Sequence, residues 1–133
     1  MERREFIRAA GLAAFTAALP ETPAGAEAPA AAQGEGYGLI GWMDSSPGQR
    51  DALAAILAEG MGAMPGCRLY HIAADAAAPD RLWITESWDS REAHAASLKL
   101  PAVGEAIRRG RPLIAGMARV AETLPVAVVS TKV

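Results

Sequence analysis

Arg81-Leu82-Trp83-Ile84-Thr85-Glu86-Ser87-Trp88 decides the fold. These eight residues, rich in aromatic and β-branched side chains and flanked by Pro79-Asp80 and Asp89-Ser90, predict a strand. Alternation puts Leu82, Ile84, Glu86 and Trp88 on one face and Trp83 and Thr85 on the other. Large apolar side chains stand on both faces, so neither side of a sheet built around this strand can be left to water.

Toward the N-terminus, residues 75–80 with Pro79 predict a loop, and residues 67–73 a strand opened by Pro65-Gly66. Before it, Leu53, Ile56, Leu57, Gly60, Met61 and Met64 recur at helical spacing. Ser46, with Pro47 next and Gln49 three residues on, predicts the start of that helix as a capping box. Residues 37–44 predict the first strand. Toward the C-terminus, Asp89-Ser90 should cap a short helix through Leu98, and Pro101 restarts helix to about Gly110. Arg111-Pro112 interrupts, and residues 115–124 predict the fourth strand. The tail, 126–133, has strand-like composition and is expected as an edge strand or a contact with a partner subunit.

The order β-α-β-β-α-β predicts an α+β, ferredoxin-like antiparallel sheet with its helices on one face. The second apolar face needs another cover. A second copy of the chain is the simplest, so a homodimer is expected.

The chain has 133 residues, 51% hydrophobic and 21% charged, which suits one globular domain. Its net charge of -2 lacks the positive footprint of a nucleic-acid binder, and Arg108, Arg109 and Arg111 read as a solvated helix end. One cysteine, Cys67, excludes an intrachain disulfide, and with only two histidines no metal site is expected.

Residues 1–32 read as an address. Arg3-Arg4-Glu5-Phe6-Ile7 followed by an apolar stretch to Leu19 resembles a twin-arginine export signal. That stretch is too short to cross a bilayer core of about 30 Å, so no stable membrane span is expected. Ala24-Gly25-Ala26 and Ala30-Ala31-Ala32 are both suitable cleavage sites. Residues 33–36 then form a linker to a domain spanning 37–125, and the expected location is periplasmic or extracellular.

Met64-Pro65-Gly66-Cys67, Tyr70, Asp80 and Glu86-Ser87-Trp88-Asp89-Ser90 together resemble the antibiotic biosynthesis monooxygenase family and its quinol monooxygenases. The run Trp88 to Leu98, with Leu100-Pro101-Ala102-Val103 and Gly110-Arg111-Pro112-Leu113-Ile114-Ala115-Gly116, is similar to one subgroup. The resemblance covers about residues 37–125. It implies a dimeric α+β barrel that oxidises phenols or quinols with O2 and without metal, flavin or haem. Many relatives carry histidines where this chain has Ser97 and Ala102, whereas here a histidine stands one turn earlier, at His94.

Cofactor-free oxygenation requires an apolar cavity, a base to make an electron-rich anion, and donors to hold that anion. His94 and Ser97, three apart on the short helix and near Trp88, form the leading pair, imidazole as base and hydroxyl as partner. His71, sharing a strand face with Leu69 and Ala73, is the second candidate base. Trp42, Tyr70, Trp83 and Trp88 are candidates to stack an aromatic substrate. Glu86 on the Leu82 face is either structural or a site acid, with Arg68 as the expected partner. Three functions stay open on the sequence: a cofactor-independent monooxygenase, a non-catalytic barrel binding a small apolar ligand, and haem binding or degradation.

Overall fold

The computed structural model describes residues 36–131. The expected export signal, its cleavage sites and most of the linker lie outside them. Four strands and three helices follow in the order β1 (Tyr37–Ser45), α1 (Arg50–Gly60), β2 (Cys67–Ala74), β3 (Arg81–Trp88), α2 (Arg91–Ser97), α3 (Pro101–Gly110) and β4 (Ile114–Thr123). A single 3₁₀ turn, Arg111–Leu113, separates α3 from β4 where Pro112 stops the helix. The sheet order is β2-β3-β1-β4, antiparallel throughout, the ferredoxin-like arrangement expected.

The helix between β1 and β2 is shorter than its apolar periodicity suggested. Ser46 does not cap it. Ser46 to Gln49 instead close a turn, Gln49 N–H donating to the Ser46 carbonyl (2.9 Å), with Gly48 at φ +77°. Proline second and a left-handed glycine third make this a type II turn, which outcompetes the capping box. α1 therefore begins at Arg50. It ends at Gly60, four residues before Met64, because Gly62 and Pro65-Gly66 cannot sustain helix. By contrast Ser90 caps α2 as expected, its hydroxyl accepting from Ala93 N–H at 3.0 Å.

The core lies between sheet and helices. Met43, Leu53, Leu57, Leu82, Ile84, Ile114 and Met117 form one cluster, and Tyr37, Leu39, Met64, Trp88 and Val103 a second beside it. Three irregularities in strand pairing shape this side: Arg68, Ala115 and Val120 each lack an opposite residue. Each bulge reverses the alternation locally, so Cys67 and Tyr70, Ile114 and Met117, and Arg119 and Glu122, three residues apart, face the helices together.

The opposite face carries Ile40, Trp42, Leu69, His71 and Trp83. Trp42 and Trp83 are paired across strands, Arg81 stacks on Trp42 at 3.8 Å while binding Asp44, and Trp83 donates to Asp75. The described part of the tail, to Thr131, forms no strand. It leaves Val126 and Val129 at 97% and 77% exposure.

α1 and α3 approach so closely that a Cβ at Gly60 would collide with that of Ala106. Gly60→Ala should therefore destabilise the domain by about 1–2 kcal/mol, although alanine is the better helix former, because two backbones must part. Urea unfolding measures this, and a stabilised variant would show that the helix pair is loosely packed.

Candidate active site

A small cleft opens where the segment between α1 and β2, together with α2 and α3, meets the helix-facing side of β2 and β3. Its apolar wall comes from Met61, Met64, Leu98, Val103 and Ile107, and its polar end from Tyr70, Glu86, Trp88, His94 and Ser97. The cavity is about 20 Å³, enough for a water-sized guest.

Glu86 reaches this cleft because it alternates with Leu82, Ile84 and Trp88 on the inward face of β3. It is only 5% exposed. Its Oε1 accepts from the Trp88 indole N–H at 2.8 Å. Burial pushes its carboxyl up from 4.5 to about 7, against the lowering pull of that hydrogen bond and of the Arg119 charge. His94, 4% exposed, is brought over the strand by the short helix that Ser90 caps. Its ring packs edge-on against Trp88 (centroids 5.2 Å apart) and tilted against Tyr37 (5.4 Å). Burial, then the charges of Arg119 and Arg91, lower it to about 4, so the imidazole is neutral near pH 7. His94 Nε2 stands 3.8 Å from Glu86 Oε1, too far for a direct hydrogen bond but close enough for one polar atom to touch both.

Of the residues singled out from sequence, Tyr70, Glu86, Trp88, His94 and Ser97 meet here. Trp42, His71 and Trp83 do not. Strand alternation carries them to the far face of the sheet, and His71 is exposed there. Two partnerships also differ from expectation. The Ser97 hydroxyl donates to the backbone carbonyl of His94 at 2.6 Å rather than to its imidazole, the usual recourse of a helical serine three residues on. Arg68, on its bulge, pairs with Asp89 at 2.6 Å. Glu86 is held instead by Trp88, with the Arg119 charge nearby.

The sequence reading missed the inner electrostatics. Arg119 lies opposite Gly41 on the helix-facing side of β4, with its guanidinium nitrogens shielded from solvent. Its charge acts on Tyr37, Glu86 and His94. Tyr37, pushed up to about 12 by burial, lies beneath the Arg91 guanidinium, 4.5 Å from the ring, and Arg91 pairs with Glu122 at 2.9 Å. Alternation with Met117 was the available signal for Arg119. The Val120 bulge hid Glu122. Among the described residues, no group of three or more His, Cys, Asp or Glu side chains could hold a metal ion, and no helix is long and apolar enough to cross a membrane.

Because Glu86 binds its proton more tightly folded than unfolded, its contribution to stability is complete below about pH 4.5 and is lost as pH rises through about 7. His94 acts in the opposite sense: its contribution is present above about pH 6.5 and is lost as pH falls toward 4. Glu86→Gln should thus gain stability relative to wild type as pH climbs from 5 to 8, roughly 1–3 kcal/mol in all. Melting temperatures across that range would show it, and parallel curves for the two proteins would refute a buried, proton-holding carboxyl.

Residues 37–109 match the family model for antibiotic biosynthesis monooxygenase. The crystal structure of a Chloroflexus aurantiacus J-10-fl protein assigned to those monooxygenases is 57% identical, covering 71% of this chain and 97% of that one at a TM-score of 0.69. A Deinococcus radiodurans structure assigned to the same group (24% identity, 72% and 98% coverage, TM-score 0.58) and a Mycobacterium tuberculosis structure (23%, 71% and 99%, 0.60) share the fold. No curated protein matches the chain. On the family match and the 57% identity, over a fold that encloses a buried acid and imidazole, the chain belongs to the antibiotic biosynthesis monooxygenase family.

Proposed function

We propose that the protein is a cofactor-independent monooxygenase that oxidises a quinol or a phenolic, polyketide-like aromatic with O2. The observation that carries this reading is the Glu86–His94 pair, 3.8 Å apart, at the polar end of an otherwise apolar cleft. Glu86, titrating at about 7, is better matched to proton abstraction near neutrality than His94 at about 4. The base role expected of His94 therefore passes to Glu86. Neutral His94 orients the substrate hydroxyl, and Trp88 and Tyr70 flank the ring.

In this scheme the substrate O–H proton moves to the Glu86 carboxylate. The phenolate then passes one electron to O2, superoxide and the aryloxyl radical combine at a ring C–H carbon as a peroxide anion, and the Glu86 proton returns to it to give the hydroperoxide and regenerate the carboxylate. Loss of water leaves a quinone, so one O2 yields one inserted oxygen and one H2O. The apolar walls keep bulk water from the charged intermediates.

The cavity itself is smaller than an aromatic ring. Met61 and Met64 are the linings best able to yield, since unbranched thioether chains change rotamer readily. The same small volume is the one observation that favours a second reading, a non-catalytic domain that holds a small apolar ligand. In either case the second sheet face, with Trp42 and Trp83, is proposed to meet its counterpart in a homodimer. For the N-terminal segment the reading remains export of the folded domain by the twin-arginine route, to a periplasmic or extracellular location.

O2 uptake with a panel of hydroquinones and naphthols tests the reading. Wild type should turn over with a rate that rises with pH through about 7. Glu86→Gln should lose about 10²–10⁴-fold in kcat together with that pH dependence. Uptake by wild type across no member of the panel would leave the non-catalytic domain.

A further inference from the structure

Three polar side chains meet at the inner end of the cleft with little to satisfy them. Oε1 of Glu86 accepts from the Trp88 indole at 2.8 Å, but Oε2 accepts no hydrogen bond among the described residues. The His94 ring, 4% exposed and packed against Trp88 and Tyr37, makes none there either, and its Nε2 stands 3.8 Å from Glu86 Oε1. Tyr70, opposite Glu86 in the register of β2 and β3, lines the same end, and its hydroxyl is likewise without a hydrogen bond among the described residues. Buried polar groups are paired as a rule, so unpaired ones lining a cavity are capacity for a ligand.

The rest of the lining narrows the chemistry. Ser97 spends its hydroxyl proton on the His94 carbonyl at 2.6 Å, and the remaining wall is apolar. Such a site favours proton transfer on an uncharged, mostly apolar molecule. A phenol offers its one oxygen to Glu86 and His94 together. A ketone offers two neighbouring positions, an α C–H and the carbonyl oxygen two bonds away, and two proton-handling side chains 3.8 Å apart can take one each. Burial suits them to it. Glu86, at about 7, is a stronger base than an ordinary carboxylate, and His94, neutral near pH 7, keeps an N–H to donate.

We infer that the cleft also enolises small, uncharged cyclic ketones, Glu86 taking the α-proton and His94 holding the carbonyl oxygen. This rests on the proton-transfer step of the function proposed above and on none of its oxygen chemistry. The step is balanced. The α C–H bond breaks and its proton goes to Glu86 Oε2. The electron pair becomes the new C=C bond while the carbonyl π pair moves onto oxygen, where His94 Nε2–H and the Tyr70 hydroxyl donate to it. The Glu86 proton then passes to that oxygen, giving the enol and restoring the carboxylate, or returns to carbon. Where the ketone is fused to an aromatic ring, the enol is an electron-rich hydroxyl compound of the kind the oxygenation consumes, so one acid–base pair serves both steps.

The test is anaerobic and uses the full-length protein in D2O with cyclohexanone and 2-tetralone, proton NMR following the loss of the α C–H signals. Wild type should exchange them faster than buffer of the same pH. His71→Ala, which removes the exposed histidine on the far face of the sheet, should match wild type. Glu86→Gln should lose at least about 10²-fold. His94→Phe, which keeps an aromatic ring beside Trp88 and Tyr37, should lose about 10²-fold. Should Glu86→Gln fail to fold, 2-naphthol decides: as a planar mimic of the tetralone enol it should suppress wild-type exchange. Exchange of neither ketone, undiminished exchange in a folded Glu86→Gln or His94→Phe, or exchange indifferent to 2-naphthol overturns the inference. O2 uptake with phenols but no ketone exchange removes this inference and leaves the oxygenase reading. Ketone exchange without O2 uptake from any phenol removes only the oxygenase reading.

Discussion

A carboxyl group that is 5% exposed in an apolar layer must be neutralised or compensated, and this requirement at Glu86 organises the inner face of the domain. Part of the compensation is the single indole N–H of Trp88, two residues along the same strand. The rest is long-range, from Arg119 two strands away. Neither suffices to return the group to an ordinary carboxylate, which is why it titrates near neutrality. A second inward-facing base, His94, is held neutral by the same burial that raises the acid. Dryness moves acid and base in opposite directions, so between about pH 4.5 and 6.5, where a solution carboxylate and imidazole are both charged, this pair is uncharged.

The bulges position the charged residues. A regular strand would have sent Glu122 to the face opposite Arg119. The extra residue at Val120 brings both inward, where Glu122 anchors Arg91 above Tyr37. At Arg68 the same device aligns Cys67 with Tyr70 along the cleft and releases Arg68 to bind Asp89 at the surface.

These features explain what could be read from the chain. The strand 81–88 announced itself by composition, and its alternation placed Glu86 inward without further information. The Ser90 cap and the Pro101 restart are local signals with local causes, and both appear as expected. The Ser46-Pro47-Gly48 segment misled because a type II turn and a capping box draw on the same residues, and the glycine decides between them. Alternation already separates Trp83 from Glu86 and Trp88, and Trp42, opposite Trp83 in register, goes with it; aromatic size alone does not bring a side chain to the cleft. Ser97 was matched to the imidazole by helical spacing, whereas its hydroxyl finds the nearer backbone carbonyl. Arg119 depends on tertiary neighbours from three other elements, and no window along the chain contains them.

The three tryptophans divide between two compartments: Trp88 lies under the helices against Glu86, while Trp42 and Trp83 are paired on the reverse of the sheet. Indole emission is therefore a two-channel reporter built into the fold. Trp83 also touches a carboxyl, that of Asp75, so quenching by Glu86 is read cleanly only without the outer pair, while spectral shifts from polarity would register whatever meets the reverse side. With the outer pair replaced by phenylalanine, the remaining signal would follow the protonation of one buried side chain in real time, with no label attached.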